Sequence, residues 1–84
     1  MPPPSSDLDD SLTALGRAIQ EVRKEKGLSQ DELARRADLR AGCISAIESG
    51  QRNPTWGVVR RISYALGVRL ADLARRAVEL ERGS

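Results

Sequence analysis

Apolar positions along this chain recur at spacings of three and four, and polar or glycine-bearing breaks divide the recurrence into five segments. Leu12, Leu15, Ile19 and Val22 form one stripe of a first helix, expected to start near Asp9–Ser11 with acids at the positive end of its dipole. Arg23, Lys24 and Lys26 gather at its far end, Gly27 closes it, and Leu28 drops into the core. Ser29, with Glu32 three residues on, has the spacing of a capping box and starts a second helix bearing Leu33, Ala34 and Ala37 on one face. The pattern breaks at Asp38-Leu39-Arg40. It resumes over 41–49 with Ile44, Ile47 and Glu48, and ends at Gly50, a suitable left-handed residue after a helix. Thr55 is the expected cap of a fourth helix with Trp56, Val59, Ile62 and Leu66 inward, stopped by Gly67. Val68 repeats the part of Leu28. Leu70 opens a fifth helix over 70–81 with Leu73, Ala74, Ala77 and Leu80 on one side, and Arg82-Gly83-Ser84 is expected to fray.

Helices as short as the second and third do not hold together alone in water, so their stability must come from the other three. Three consecutive prolines favour polyproline II and oppose a helix interior. Residues 1–8 are therefore expected to be a flexible tail, and 9–82 a single compact all-α domain of five helices.

Composition narrows the picture. Hydrophobic residues make up 39% of the 84, yet Trp56 and Tyr64 are the only aromatics, so the core must be aliphatic, which favours packed helices over a sheet. No apolar run approaches the roughly 18 residues a membrane span needs, and MPPPSSDLDD has neither the basic start nor the apolar stretch of a secretory leader. Cys43 is the lone cysteine, which excludes an internal disulfide and fits a cytoplasmic location. Without histidine, a Cys/His metal site is not expected and a hydrolytic triad lacks its usual base; no phosphate-binding glycine loop is present either. The chain is thus expected to be no enzyme and to use no cofactor, metal or small-molecule ligand. Net charge is only +2, but residues 17–61 hold ten bases against six acids, whereas 1–16 hold three acids and no base. The excess falls on the two short helices and their neighbours, which points to a polyanionic partner.

LGRAIQEVRKEKGLSQDELARRADL and ISAIESGQRNPTWGVVRRISYALGV together resemble the lambda-repressor-like (Xre/Cro) helix-turn-helix family over about residues 12–80. The specific fragments are Gly27-Leu28-Ser29-Gln30, Leu33-Ala34, Ile44-Ser45, Ile47-Glu48 with Gly50, Arg52-Asn53-Pro54 and Ala65-Leu66-Gly67-Val68, in that order and spacing. Among small family members the chain is most similar to restriction–modification controller proteins and to compact phage-like or antitoxin repressors. The resemblance implies a transcriptional regulator that binds a (pseudo)palindromic operator in double-stranded DNA as a homodimer. Helix two would cross the backbone, and helix three would enter the major groove.

On that likeness Arg40, Ala41, Gly42, Ser45 and Ala46 fall at base-facing positions, and Gln30, Cys43, Gln51, Arg52 and Asn53 at phosphate-contacting ones. Arg23 and Glu48 match a pair that the family buries as an ion pair. The chain departs from the pattern at Arg40, which stands where the recognition helix is usually capped by Ser, Thr or Asp; losing a cap costs about 1 kcal/mol. Ala41, Gly42 and Ala46 cannot hydrogen-bond a base, so direct readout reduces to Arg40 on guanine, Ser45, and methyl contacts, with DNA shape supplying the remainder. Trp56 is expected in the core, the alternative being a dimer or backbone contact. Val58, Val68, Leu70 and Val78 are the candidate dimer surface. The competing reading is a protein-interaction module with decayed base recognition, an antitoxin-like or RNA polymerase sigma-factor-contacting subunit.

Overall fold

A computed structural model describes the backbone over residues 4–83 and the side chains over 10–83. Five helices follow one another: α1 (Pro4–Glu25), α2 (Gln30–Ala37), α3 (Ala41–Glu48), α4 (Trp56–Leu66) and α5 (Leu70–Gly83), with no strand among the described residues. The all-α five-helix architecture expected from the sequence is the one found.

Local chemistry fixes most boundaries. Ser29 Oγ accepts from the Glu32 amide at 3.0 Å and the Glu32 carboxylate accepts from the Ser29 amide at 3.1 Å, a closed capping box at the start of α2. Thr55 Oγ1 accepts from the Val58 amide at 3.2 Å and starts α4. α3 ends at Glu48, with Ser49 as its C-cap and Gly50 at φ 79, where glycine carries no Cβ penalty. The turn between α2 and α3 closes differently. Asp38, at φ 56, is the one non-glycine residue in the left-handed region among those described, and Arg61 of α4 donates to the carbonyls of Ala37 and Asp38 beyond the end of α2. A cation there also opposes the negative end of the helix dipole.

Two ends differ from expectation. α1 begins at Pro4 and not near Asp9–Ser11, so residues 4–8 of the expected tail are helical; residues 1–3 of that tail lie outside the described residues. Proline is compatible with a first helical turn, where its missing N–H has no acceptor to serve. α5 continues through Arg82 to Gly83, past the expected fraying point.

Ala18, Ile19, Val22, Leu28, Leu33, Ala34, Ala37, Ile44, Ile47, Ile62, Leu66 and Leu73 form one buried aliphatic cluster drawn from all five helices and the α1–α2 connection. α1 packs most extensively on α5 and also braces α3. At Gly16 the approach is so close that a Cβ would lie 2.4 Å from the Ile47 carbonyl oxygen and 2.6 Å from that of Glu48. The C-terminal end of α3 thus rests directly on the backbone of α1.

Trp56 is not in the core: it is 68% exposed. Thr55 and Gly57 are exposed with it, so the first turn of α4 stands clear of its neighbours and the buried stripe begins at Val58 and Val59. Ala74 is likewise exposed, and α5 is anchored instead by buried Leu73 with Ala77 and Leu80 packed alongside. Of the four candidate dimer residues, Val58 and Val68 pack against the core cluster, Leu70 is half-buried and Val78 is 50% exposed.

Candidate nucleic-acid interface

α3 divides into two faces by its helical period. Ile44, Ile47 and Glu48 are buried; Gly42, Ser45 and Ser49 are exposed and Ala46 half-exposed on the other side. Ala41, assigned from the resemblance to a base-facing position, and Cys43, assigned to a phosphate contact, are half-buried and pack against the core cluster. Ser49 was not among the sequence candidates. It lies four residues past Ser45 on the same face, and its hydroxyl donates to the Ala46 carbonyl at 3.1 Å.

Arg40 precedes α3 with extended backbone and makes no side-chain cap, so nothing local holds its guanidinium. Arg40 and Arg52 are both exposed and carry no ion pair or hydrogen bond among the described residues. Both line a groove of about 1080 Å³, together with Gly42, Cys43, Asn53 and Thr55, between α3 and the α3–α4 loop. Gln51, Arg52 and Asn53 are exposed along that loop. The arrangement is a small-residue helix face edged by two unengaged cations, suited to a broad polyanion.

The face is held from behind by a buried polar junction. Arg23 Nε donates to Glu48 Oε2 at 2.7 Å and Arg23 Nη2 to Glu48 Oε1 at 3.0 Å. Arg23 Nη1 donates to the Leu28 carbonyl at 2.8 Å, and Gln30 Nε2 donates to Glu48 Oε1 at 3.0 Å. The Glu48 carboxylate therefore ties α1 and α2 to the last turn of α3, and Arg23 carries the tie on to the α1–α2 connection. Hydrogen bonding to Glu48 raises the Arg23 guanidinium above its ordinary pKa, against the opposing effect of burial. Gln30, first residue of α2, keeps its amide half-exposed while bracing α3. Among the described residues no group of acids and cysteine is placed to hold a metal ion, and no helix is long and apolar enough to cross a membrane.

A helix-turn-helix pair on an aliphatic five-helix scaffold, with a basic rim, is the framework of a DNA-reading regulator. The helix-turn-helix family profile matches residues 19–73, and the chain belongs to that family, in its Xre-like branch of transcriptional regulators. The uncharacterized HTH-type transcriptional regulator y4dJ of Sinorhizobium fredii is 32% identical over 75 residues, covering 89% of this chain and 97% of the relative. Control protein C.MunI of a Mycoplasma species is 36% identical over 67 residues, covering 79% and 90%. The restriction–modification controller protein C.AhdI from Aeromonas hydrophila superposes with a TM-score of 0.73 at 32% identity, over 74% of this chain and 94% of that one.

Proposed function

We propose that this protein is a sequence-specific, double-stranded DNA-binding transcriptional regulator that acts as a homodimer on a (pseudo)palindromic operator. The observation that carries the reading is the outer face of α3: Gly42, Ser45 and Ala46 offer no bulk, and the unengaged Arg40 and Arg52 edge the adjoining groove. Small residues let the helix sit deep in the major groove, with Arg40 on a base edge and Ser45 and Ser49 as permissive donors or acceptors. Arg52, Asn53 and Gln51, with Gln30 at the start of α2, contact phosphate and set the register. Cys43, half-buried at the edge of the groove, has its backbone amide bonded to the Arg40 carbonyl at 3.0 Å and contributes through its side chain at most. Ala41 contributes at most a methyl edge.

The dimer contact is assigned to the α4–α5 connection and α5, through Leu70 and the exposed part of Val78. Likeness to C.MunI and C.AhdI supports a controller-type regulator. The test is binding to an operator fragment and to random duplex at two salt concentrations. Arg52→Ala should weaken both and lower the salt slope by about 1, whereas Arg40→Ala should chiefly erode the preference for operator. If both variants bind like the parent, the docking assignment is wrong.

A further inference from the structure

Both aromatic side chains of the chain lie outside the core, on one face of α4. Trp56 is 68% and Tyr64 88% exposed, and Arg60, exposed between them, completes a series at every fourth residue. Such spacing keeps residues on one side of a helix, about 6 Å apart along its axis. Beside this ridge runs a shallow groove of about 430 Å³ lined by Arg36, Ala37, Asp38, Gly57, Arg60, Arg61 and Tyr64. Gly57 gives it an open floor, since nothing lies within 4 Å of where its Cβ would be. Of the three arginines, Arg61 is committed to the end of α2 and to Asp38. Arg60 has no partner among the described residues, and Arg36 makes no hydrogen bond or ion pair there, its charge acting only on Glu32 one turn earlier. The groove shares only Asp38 with the one beside α3.

We propose that this α2–α4 face docks an acidic peptide segment of another protein, one that carries an aromatic or branched apolar residue among its carboxylates. Tryptophan, tyrosine and arginine are the residues that dominate protein contacts, and two exposed rings flanking unpaired guanidinium groups match that chemistry. Arg36 and Arg60 take the carboxylates; Tyr64, which lines the groove, packs on the apolar side chain within it, and Trp56 borders the site one turn before Arg60. A second copy of the chain fits poorly, because a two-fold contact would set Arg36 and Arg60 of each protomer against the same basic face of its partner. A single nucleic-acid strand fits poorly as well. Tracking about 4–16 nucleotides takes a longer basic path than two free cations with Asp38 beside them.

Trp56 is the only tryptophan, so its emission reports on this face directly. The probe is a tryptophan-free synthetic peptide, acetyl-DDLEDFE-amide, titrated into the full chain, with the same peptide bearing serine for leucine and phenylalanine as control. Oligo(dT) of ten nucleotides and dilution of the protein alone are run in parallel, the latter also by sedimentation. The expected result is a saturable blue shift with protection from acrylamide quenching for the first peptide only. Its affinity should fall about tenfold in Tyr64→Ala and in Arg36→Ala/Arg60→Ala, with unchanged circular dichroism in both and unchanged operator binding in Tyr64→Ala. No saturable shift, an equal response to the serine peptide, a tighter response to oligo(dT), or a shift that tracks self-association would each overturn the proposal.

Discussion

Glu48→Ala is the perturbation that most directly tests how α3 is held. Arg23 is 8% and Glu48 7% exposed, and the carboxylate accepts two bonds from Arg23 and one from Gln30. Truncation leaves the Arg23 guanidinium buried with only the Leu28 carbonyl as acceptor, and it frees Gln30 from its brace. Removing one side of such a pair costs about 3–5 kcal/mol, most of it the penalty of the stranded charge. Domains hold roughly 0.05–0.15 kcal/mol per residue, so the loss takes a large share of the stability of an 84-residue chain. Urea titration followed by circular dichroism should show that loss, and Tm should drop by about 15–30 °C. Replacing both partners with apolar residues of similar shape, Arg23→Met with Glu48→Leu, should recover most of it, because no buried charge is left unpaired. A Glu48→Ala cost below about 1 kcal/mol, or a double variant no more stable than the single, would refute the assignment of the junction as a buried charge pair.

Three further outcomes follow from other contacts. Gly16→Ala forces a Cβ into the carbonyls of Ile47 and Glu48, so it should destabilise by about 1–3 kcal/mol and weaken operator binding by tilting α3, read by urea titration and by gel shift on the folded fraction. Asp38→Gly should raise stability by up to about 1 kcal/mol, since it relieves a left-handed backbone at φ 56 and gives up only an exposed ion pair with Arg61; a lower urea midpoint would show that the pair matters more. The backbone amide of Ser29 holds the Glu32 carboxyl below its ordinary pKa, and the Arg76 guanidinium does the same for Glu25. Both groups thus stabilise the fold above the unfolded glutamate pKa, about 4.3, and lose that contribution as pH falls through their lower folded values. Unfolding midpoints measured from pH 6 downward should fall less steeply in Glu32→Gln and Glu25→Gln than in the parent, and parallel curves would contradict the shift.

The boundaries legible in the sequence were those written in local chemistry. Ser29 with Glu32, Thr55, and the glycines after α3 and α4 each name a helix end through a hydrogen bond or a backbone region that few other residues satisfy. What escaped depends on residues distant along the chain. Gly16 reads as a weak helix residue until α3 is seen to rest on it. Arg61 reads as one more surface cation until it reaches the carbonyls ending α2, more than twenty residues earlier in the chain. Trp56 carries the hydrophobicity of a core residue at the right interval, but no element covers the first turn of α4. Pro4 misled for a different reason, because the same residue opens a helix or ends an extended run, and its neighbours do not decide between them. At the candidate site, the resemblance supplied the segment, while the helical period supplied the division of it. Ser49 joins the outer face, and Ala41 and Cys43 lie half-buried at its edge, Cys43 lining the adjoining groove.

That division bears on how such a site can change. α3 has eight residues, no side-chain cap and a glycine in its first turn, so little in its own sequence favours a helix. It exists because Ile44, Ile47 and Glu48 are held by α1, α2 and the rest of the core. Gly42, Ser45, Ala46 and Ser49 contribute almost nothing to that hold, being on the opposite face. Their replacement should therefore alter DNA preference at little cost in stability, whereas any change at Gly16, Arg23 or Glu48 alters stability first and DNA affinity through it. On the proposed docking of α3, the outer residues can form few base hydrogen bonds, so discrimination between operators would draw on groove width and bending at positions that no side chain touches. On that logic, swapping a flexible pyrimidine–purine step for a stiff A-tract between half-sites should change affinity even where every contacted base is kept.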